Sequence, residues 1–255
     1  MCVNYYPPKD LLNNRIILVT GASDGIGKEA ARSYAAHGAK VILLGRSEEK
    51  LKQVELEINA ISVHPVKTIV FNFLRAQPSD YQPLANQIGK LFSHLDGILH
   101  SAGLLGSIST IAEQDPLVWQ QVMQVNVNAQ FMLTQALLPL LLKAESPSLI
   151  FTTSSVGRKG RAGWGAYSVS KFATEGLMQV LADEYPASQL RVNCINPGGT
   201  RTSMRASAFP QEDPANLRTP ADIMAPYLYF MGDESTGKTG MSVDAQPDKK
   251  PGITK

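Results

Sequence analysis

Short apolar runs alternate with longer stretches of helical periodicity along almost the whole chain. The runs at 15–20, 40–44, 67–71, 97–101, 148–153, 191–195 and 241–244 are mostly continuous rather than strictly alternating, the pattern of parallel strands covered on both faces. Between them, helical patterns occupy 27–37, 48–61, 83–92, 116–142, 166–184 and 220–231. Strand and helix in repeated succession predict right-handed crossovers, each laying a helix on the sheet. The expectation is one α/β domain over residues 1–255, a doubly wound parallel sheet of about seven strands with helices on both faces. Ligands then belong at the carboxyl ends of the strands. Thr219-Pro220-Ala221-Asp222 predicts a helix start, with a threonine cap, proline in the first turn and a carboxylate at the positive end. The segment 203–218 breaks the alternation with Phe209-Pro210 and Asp213-Pro214, and is expected to form a mobile substrate lid with weak helix.

The first strand runs straight into Gly21-Ala22-Ser23-Asp24-Gly25-Ile26-Gly27. Gly21 permits a tight turn, Gly25 lets backbone approach a phosphate, and Gly27 lets the following helix pack closely, its first amides facing an anion. The spacing G-x-x-x-G-x-G differs from the general dinucleotide pattern G-x-G-x-x-G. A triphosphatase loop is excluded, because Ala22 stands where its first glycine belongs and Glu29 where its metal-binding hydroxyl belongs.

Composition narrows the function classes. The chain has 255 residues, 44% hydrophobic and 18% charged, with a net charge of +2, so charge makes no case for nucleic acid. The only local excess is a basic tail at 248–255. Cys2 and Cys194 are too few for a disulfide framework and suit a reducing cytoplasm. The opening residues lack the basic start and apolar run of an export signal. The apolar stretch 131–142 carries Thr134, Gln135 and Pro139 and falls short of a membrane span. His37, His64, His94 and His100 show no ligand spacing, so no metal is expected.

Further along, Ser101-Ala102-Gly103 follows the fourth run and Asn126 lies in Val125-Asn126-Val127. Ser154 precedes Tyr167 by thirteen residues, Tyr167-Ser168-Val169-Ser170-Lys171 has the form Y-x-x-x-K, and Pro197-Gly198 is followed by Thr200 and Thr202. Together with Thr20-Gly21-x-x-x-Gly25-x-Gly27, these elements in this order resemble the short-chain dehydrogenase/reductase family, whose core is a Rossmann fold. The match runs from Thr20 to Thr202, with Ser101 where the family usually has asparagine. More narrowly, the chain resembles a bacterial subgroup of oxidoreductases without an assigned substrate.

Hydride addition to a carbonyl leaves an alkoxide, which needs a proton donor and donors that stabilise its charge. A free phenol, with a pKa of roughly 10, is too weak an acid or base near neutrality without help. Lys171 lies one helical turn beyond Tyr167, and its charge is expected to favour the phenolate. The resemblance implies that Tyr167 is the general acid/base and that Lys171 also binds the nicotinamide ribose. It further implies that Ser154, or the adjoining Ser155, bonds the substrate oxygen, and that Asn126 holds a water in a proton relay. The implied dinucleotide lies along Gly21, Ser23, Asp24, Gly25, Ile26, Gly27, Arg46, Ser47, Asn72, Ser101, Ala102, Gly103, Tyr167, Lys171, Pro197, Gly198, Thr200 and Thr202. In Leu44-Gly45-Arg46-Ser47, glycine replaces the acid that would select NAD, and arginine suits a 2′-phosphate. NADP(H) is therefore the expected cofactor, ahead of NAD. Asn72 stands where the family often has aspartate beside adenine.

Gly163, Trp164, Phe209, Met204 and Leu105 are candidates for an apolar pocket, implying an apolar ketone, aldehyde or alcohol as the small-molecule partner. The apolar stretches 116–142 and 166–184 carry more hydrophobic residues than one core-facing stripe needs, and the resemblance implies a homodimer or homotetramer through them. The alternative is a non-catalytic nucleotide-binding or sensor protein on the same scaffold, against which the Tyr167/Lys171 pair argues.

Overall fold

The computed structural model describes residues 5–248. Cys2 and residues 249–255 of the basic tail lie outside them. Strands β1 (Ile16–Thr20), β2 (Lys40–Gly45), β3 (Lys67–Val70), β4 (Gly97–His100), β5 (Ser148–Thr152), β6 (Arg191–Asn196) and β7 (Ser242–Asp244) form one sheet in the order β3-β2-β1-β4-β5-β6-β7. Every pairing is parallel. The expected doubly wound sheet is present, and each apolar run became a strand.

The covering helices are α1 (Gly25–Ala36), α2 (Glu48–Asn59), α3 (Tyr81–Leu91), α4 (Pro116–Met123), α5 (Ala129–Leu141), α6 (Gly165–Glu184), α7 (Ser203–Ala208) and α8 (Met224–Met231). Alternate residues of β1 feed two separate cores. Ile17 and Val19 pack with Ala30 and Tyr34 of α1, Leu51 and Val54 of α2 and Tyr227 of α8. Ile16 and Leu18 pack with Leu84 and Ile88 of α3, Leu133 and Leu137 of α5 and Met178 of α6. A strand buried on both faces has no polar side, which is why its sequence does not alternate. Among the described residues, no helix is long and apolar enough to cross a membrane.

Two helical expectations need correction. The stretch 116–142 is not one helix: a π-helical turn, Gln124–Asn128, separates α4 from α5. Such a turn inserts a residue into the ladder, and it carries the fully buried Asn126. The stretch 220–231 opens as a 3-10 turn, Ala221–Ile223, before α8 begins. Pro220, not Thr219, is the cap residue of that turn. Thr219 still ties to it, accepting from Asp222 N–H at 3.4 Å and donating from its N–H and hydroxyl to the Asp222 carboxylate at 2.7 and 2.8 Å. These bonds hold the Asp222 carboxyl below its usual range.

At the opposite end of the strands from the glycine turn, Arg191 is 1% exposed at the start of β6. Its guanidinium donates to the carbonyls of Gly232 (2.8 Å), Phe230 (3.2 Å) and Ser146 (3.0 Å), and to the Ser235 hydroxyl. It thereby closes the negative C-terminal end of α8 and ties it to the sheet. Arg15 reaches the same Ser146 carbonyl at 2.5 Å and pairs with Asp233 at 2.5 Å. Burial, with Arg15 adding to it, lowers the Arg191 pKa to about 10, so the group stays charged at neutral pH. Replacing Arg191 by methionine strands several buried carbonyls. Urea denaturation of Arg191→Met is expected to show a loss of about 3 kcal/mol, and a loss below about 1 kcal/mol would deny Arg191 this role.

Candidate active site

The carboxyl ends of β1 and β4 meet closer than side chains allow. A β-carbon on Gly21, which has φ +65°, would lie 2.8 Å from the Ala102 backbone, and one on Gly27 would strike the Gly21 carbonyl. The Thr20 hydroxyl accepts from the amides of Ser101 (3.0 Å) and Ala102 (3.1 Å), locking the two turns into one floor. Asp24 caps α1, its carboxylate accepting from Gly25 N–H at 2.7 Å, and its second oxygen accepts from the Ser203 hydroxyl at 2.6 Å.

The opposite wall comes from β5 and α6. Ser154 follows β5 and leads into a 3-10 turn, Ser155–Gly157. This turn lies directly on α6, for a β-carbon on Gly157 would come 2.7 Å from Lys171 Cβ and 2.8 Å from its backbone. The Ser154 hydroxyl lies beside the Tyr167 phenol, close enough to lower its pKa. Lys171 is 4% exposed; its Nζ donates to the Thr152 carbonyl at 2.7 Å and lies 5.5 Å from the Tyr167 ring centroid.

These segments enclose a cleft of about 550 Å³ over the strand ends. Every site residue expected from the sequence lines it except Asn126: the turn residues Gly21, Ser23, Asp24, Gly25, Ile26 and Gly27, then Arg46, Ser47, Asn72, Ser101, Ala102, Gly103, Ser154, Tyr167, Lys171, Pro197, Gly198, Thr200 and Thr202. Asn126 stands behind the wall. Its Oδ1 accepts from Leu104 N–H at 2.7 Å, and its Nδ2 donates to the Leu104 carbonyl and the Ser170 hydroxyl, both at 2.9 Å. Of the two adjoining serines, Ser154 lines the cleft and Ser155 does not.

The expected apolar pocket is only partly assembled. Leu105, Trp164 and Met204 line the cleft, whereas Gly163 and Phe209 do not. Phe209 backs Trp164, with ring centroids 5.7 Å apart, and the Arg205 guanidinium lies 3.8 Å from the Phe209 centroid. The wall also includes Phe71, Phe73, Leu104 and Val125, apolar residues that no motif distinguishes from core. Lys50 was missed too. It lines the cleft beside Arg46, and its signal is its place in the first turn of α2, behind the Ser47 cap, where long side chains lean back toward the helix start. Neither Arg46 nor Lys50 has a side-chain partner among the described residues.

The model of the short chain dehydrogenase family matches residues 15–213. The chain belongs to this family. It is 64% identical over 252 residues to the uncharacterized oxidoreductase YciK of Escherichia coli K12, spanning 99% of this chain and 100% of that protein. It is likewise similar to two solved short-chain dehydrogenases. One, from Shigella flexneri 2a strain 301 in complex with NADP, is 64% identical with a TM-score of 0.93, covering 94% of this chain and all of that one. The other, from Escherichia coli CFT073 in complex with NADPH, is 66% identical with a TM-score of 0.93 and the same coverage.

In this short-chain dehydrogenase, desolvation dominates the paired side chains. Burial pushes the Tyr167 phenol up to about 12. The expected lowering by Lys171 is not among the influences on the phenol; Ser154 supplies the one that opposes burial. Burial also lowers Lys171 to about 8 from an ordinary 10.5, partly opposed by Cys194 and Glu175. Between those two pH values the unfolded chain binds more protons at this position than the folded one, so the group's contribution to stability rises with pH. The stability of wild type relative to Lys171→Met is expected to increase as pH is raised from about 8 to about 10 in urea denaturation. A difference that does not change with pH would contradict it.

Proposed function

We propose that this chain is an NADP(H)-dependent oxidoreductase that interconverts a carbonyl and an alcohol, with Tyr167 as the general acid/base. One observation carries the reading: Ser154, Tyr167 and the buried Lys171 share a single cleft with the glycine floor. The cleft fits the dinucleotide. A β-carbon at Gly21 or Gly27 would force apart the segments that form its floor, and unpartnered Arg46 and Lys50 line it together with Ser23 and Ser47, a donor set for the 2′-phosphate. The complexes of similar proteins with NADP and NADPH support the same assignment.

A bound nicotinamide supplies a hydride to the carbonyl carbon or takes one from the alcohol carbon. Tyr167 gives the phenolic proton to the carbonyl oxygen in reduction and recovers it in oxidation, while the Ser154 hydroxyl stabilises the developing charge. A phenol raised by burial stays protonated at neutral pH, which suits proton donation. The positive charge of Lys171 opposes that shift when the phenolate must form. Asn126 holds the Leu104 backbone from behind, keeping that wall in place. Leu105, Trp164 and Met204 favour an apolar substituent on the substrate. The segment 203–218 acts as a lid, anchored where Ser203 bonds Asp24. Val169, Phe172 and Val180 are 42–55% exposed along one face of α6, and support a homodimer or homotetramer built on that helix.

Nicotinamide fluorescence titrations test the cofactor assignment. NADPH is expected to bind more tightly than NADH, and Arg46→Ala to weaken NADPH about 10- to 100-fold while leaving NADH little changed. Preferred binding of NADH would overturn the role of Arg46, and binding of neither would overturn the enzyme reading. Tyr167→Phe is expected to retain NADPH binding and lose about 10²- to 10⁴-fold in carbonyl reduction. Undiminished turnover in that variant would remove Tyr167 from the chemistry.

A further inference from the structure

Tyr167, Lys171 and Glu175 occupy successive turns on one face of α6. Glu175 is 6% exposed, a buried carboxylate one turn below the lysine that faces the cleft. Its Oε1 accepts from the Ser242 hydroxyl of β7 at 2.8 Å and from Arg158 Nε at 3.3 Å. Arg158 follows the turn that carries Ser154 and packs on Lys171. Its guanidinium also bonds the Ser242 hydroxyl, the Val243 carbonyl and, at 2.7 Å, the Asp244 carboxylate. Asp244 accepts in addition from Asn196 Nδ2 at 2.7 Å. Charges of alternating sign therefore run from the catalytic wall to the sheet edge: Lys171, Glu175, Arg158, Asp244.

A carboxylate is seldom buried without a purpose or a partner. Here the partner is shared, because Arg158 divides its donors between Glu175 and β7. The field of Glu175 at Lys171 therefore depends on how much of it Arg158 neutralises. The other groups facing this point are the Tyr167 phenol on α6, Cys194 on β6, Tyr227 on α8 and the Thr152 carbonyl on β5. Burial keeps the two phenols and the thiol neutral at physiological pH. Glu175 is thus the one anion among these groups.

We propose that Glu175, held by Arg158, is a positioning residue that sustains the positive charge of Lys171 and so sets the pH range in which the Tyr167/Lys171 pair is competent. The inference rests on the oxidoreductase reading for its functional meaning, but its physical content is independent of turnover. The two partners act in opposite senses. Removing the carboxylate disfavours the ammonium form of Lys171; removing the arginine exposes Lys171 to the full carboxylate and favours it.

The test is an NMR titration of lysine labelled at Cε and Nζ, with the Lys171 signal identified by its loss in Lys171→Met. In Glu175→Gln the Lys171 midpoint is expected to fall by about one pH unit, and in Arg158→Met to rise by a comparable amount. Arg158→Lys, which keeps the charge, should restore the wild-type midpoint. The pH profile of kcat is expected to move in the same two directions. Midpoints that stay together in all variants, or that move the same way in Glu175→Gln and Arg158→Met, would overturn the proposal. Should Glu175→Gln fail to fold, Arg158→Met against Arg158→Lys decides it. Opposite midpoint shifts in a protein without turnover would uphold the electrostatic link and reject the oxidoreductase reading. Turnover without the shifts would do the reverse.

Discussion

Everything at the cleft depends on chain segments packing closer than a β-carbon permits. Gly21 lies against the Ala102 backbone, Gly27 against the Gly21 carbonyl and Gly157 against the Lys171 backbone. The first two contacts bring the ends of β1 and β4 together and aim the start of α1 at the space above them. The third presses the Ser154 turn onto α6, which sets the serine beside Tyr167. Any side chain at these points would move backbone rather than a flexible tip, and close-packed interiors absorb such shifts poorly.

Within that frame, burial sets the chemistry as much as the pairing of charges does. Desolvation disfavours the charged form of every ionisable group, and here it acts oppositely on neighbours. It raises the Tyr167 phenol and lowers the Lys171 ammonium. The same reasoning accounts for His100, fully buried, stacked on Phe151 and bonded to the Thr134 hydroxyl at 2.9 Å; burial lowers it to about 3, leaving a neutral core residue. Burial lowers Arg191 too, but only to about 10, with Asp233 among the groups that oppose it, so it keeps its charge at neutral pH while its donors go to buried carbonyls.

The strands were legible because a segment buried on both faces must be apolar throughout, and the glycine turn because close backbone approach admits no substitute. Less legible was anything decided by a local contest between helix types. Nothing in 116–142 announces the π-helical turn, since its residues suit an α-helix equally; the turn is stabilised by what Asn126 meets, the Leu104 backbone and Ser170. Phe209 illustrates the same limit. Its hydrophobicity and place in the lid suited a cleft wall, yet its ring lies tilted against Trp164 and under the Arg205 guanidinium, lining the adjoining cavity.

The sequence by itself determined the order of elements, the parallel sheet, the family and the motif residues that line the cleft, because each reflects a constraint within a short stretch of chain. Hydrophobic period, glycine spacing and the four-residue step from Tyr167 to Lys171 are all local. Tertiary structure alone decided which serine meets the tyrosine, that Asn126 braces the wall instead of lining it, and that Arg158 pairs with the carboxylate below Lys171. Those are contacts between residues distant in the chain, and their electrostatic weight comes from burial, which no short stretch of sequence specifies.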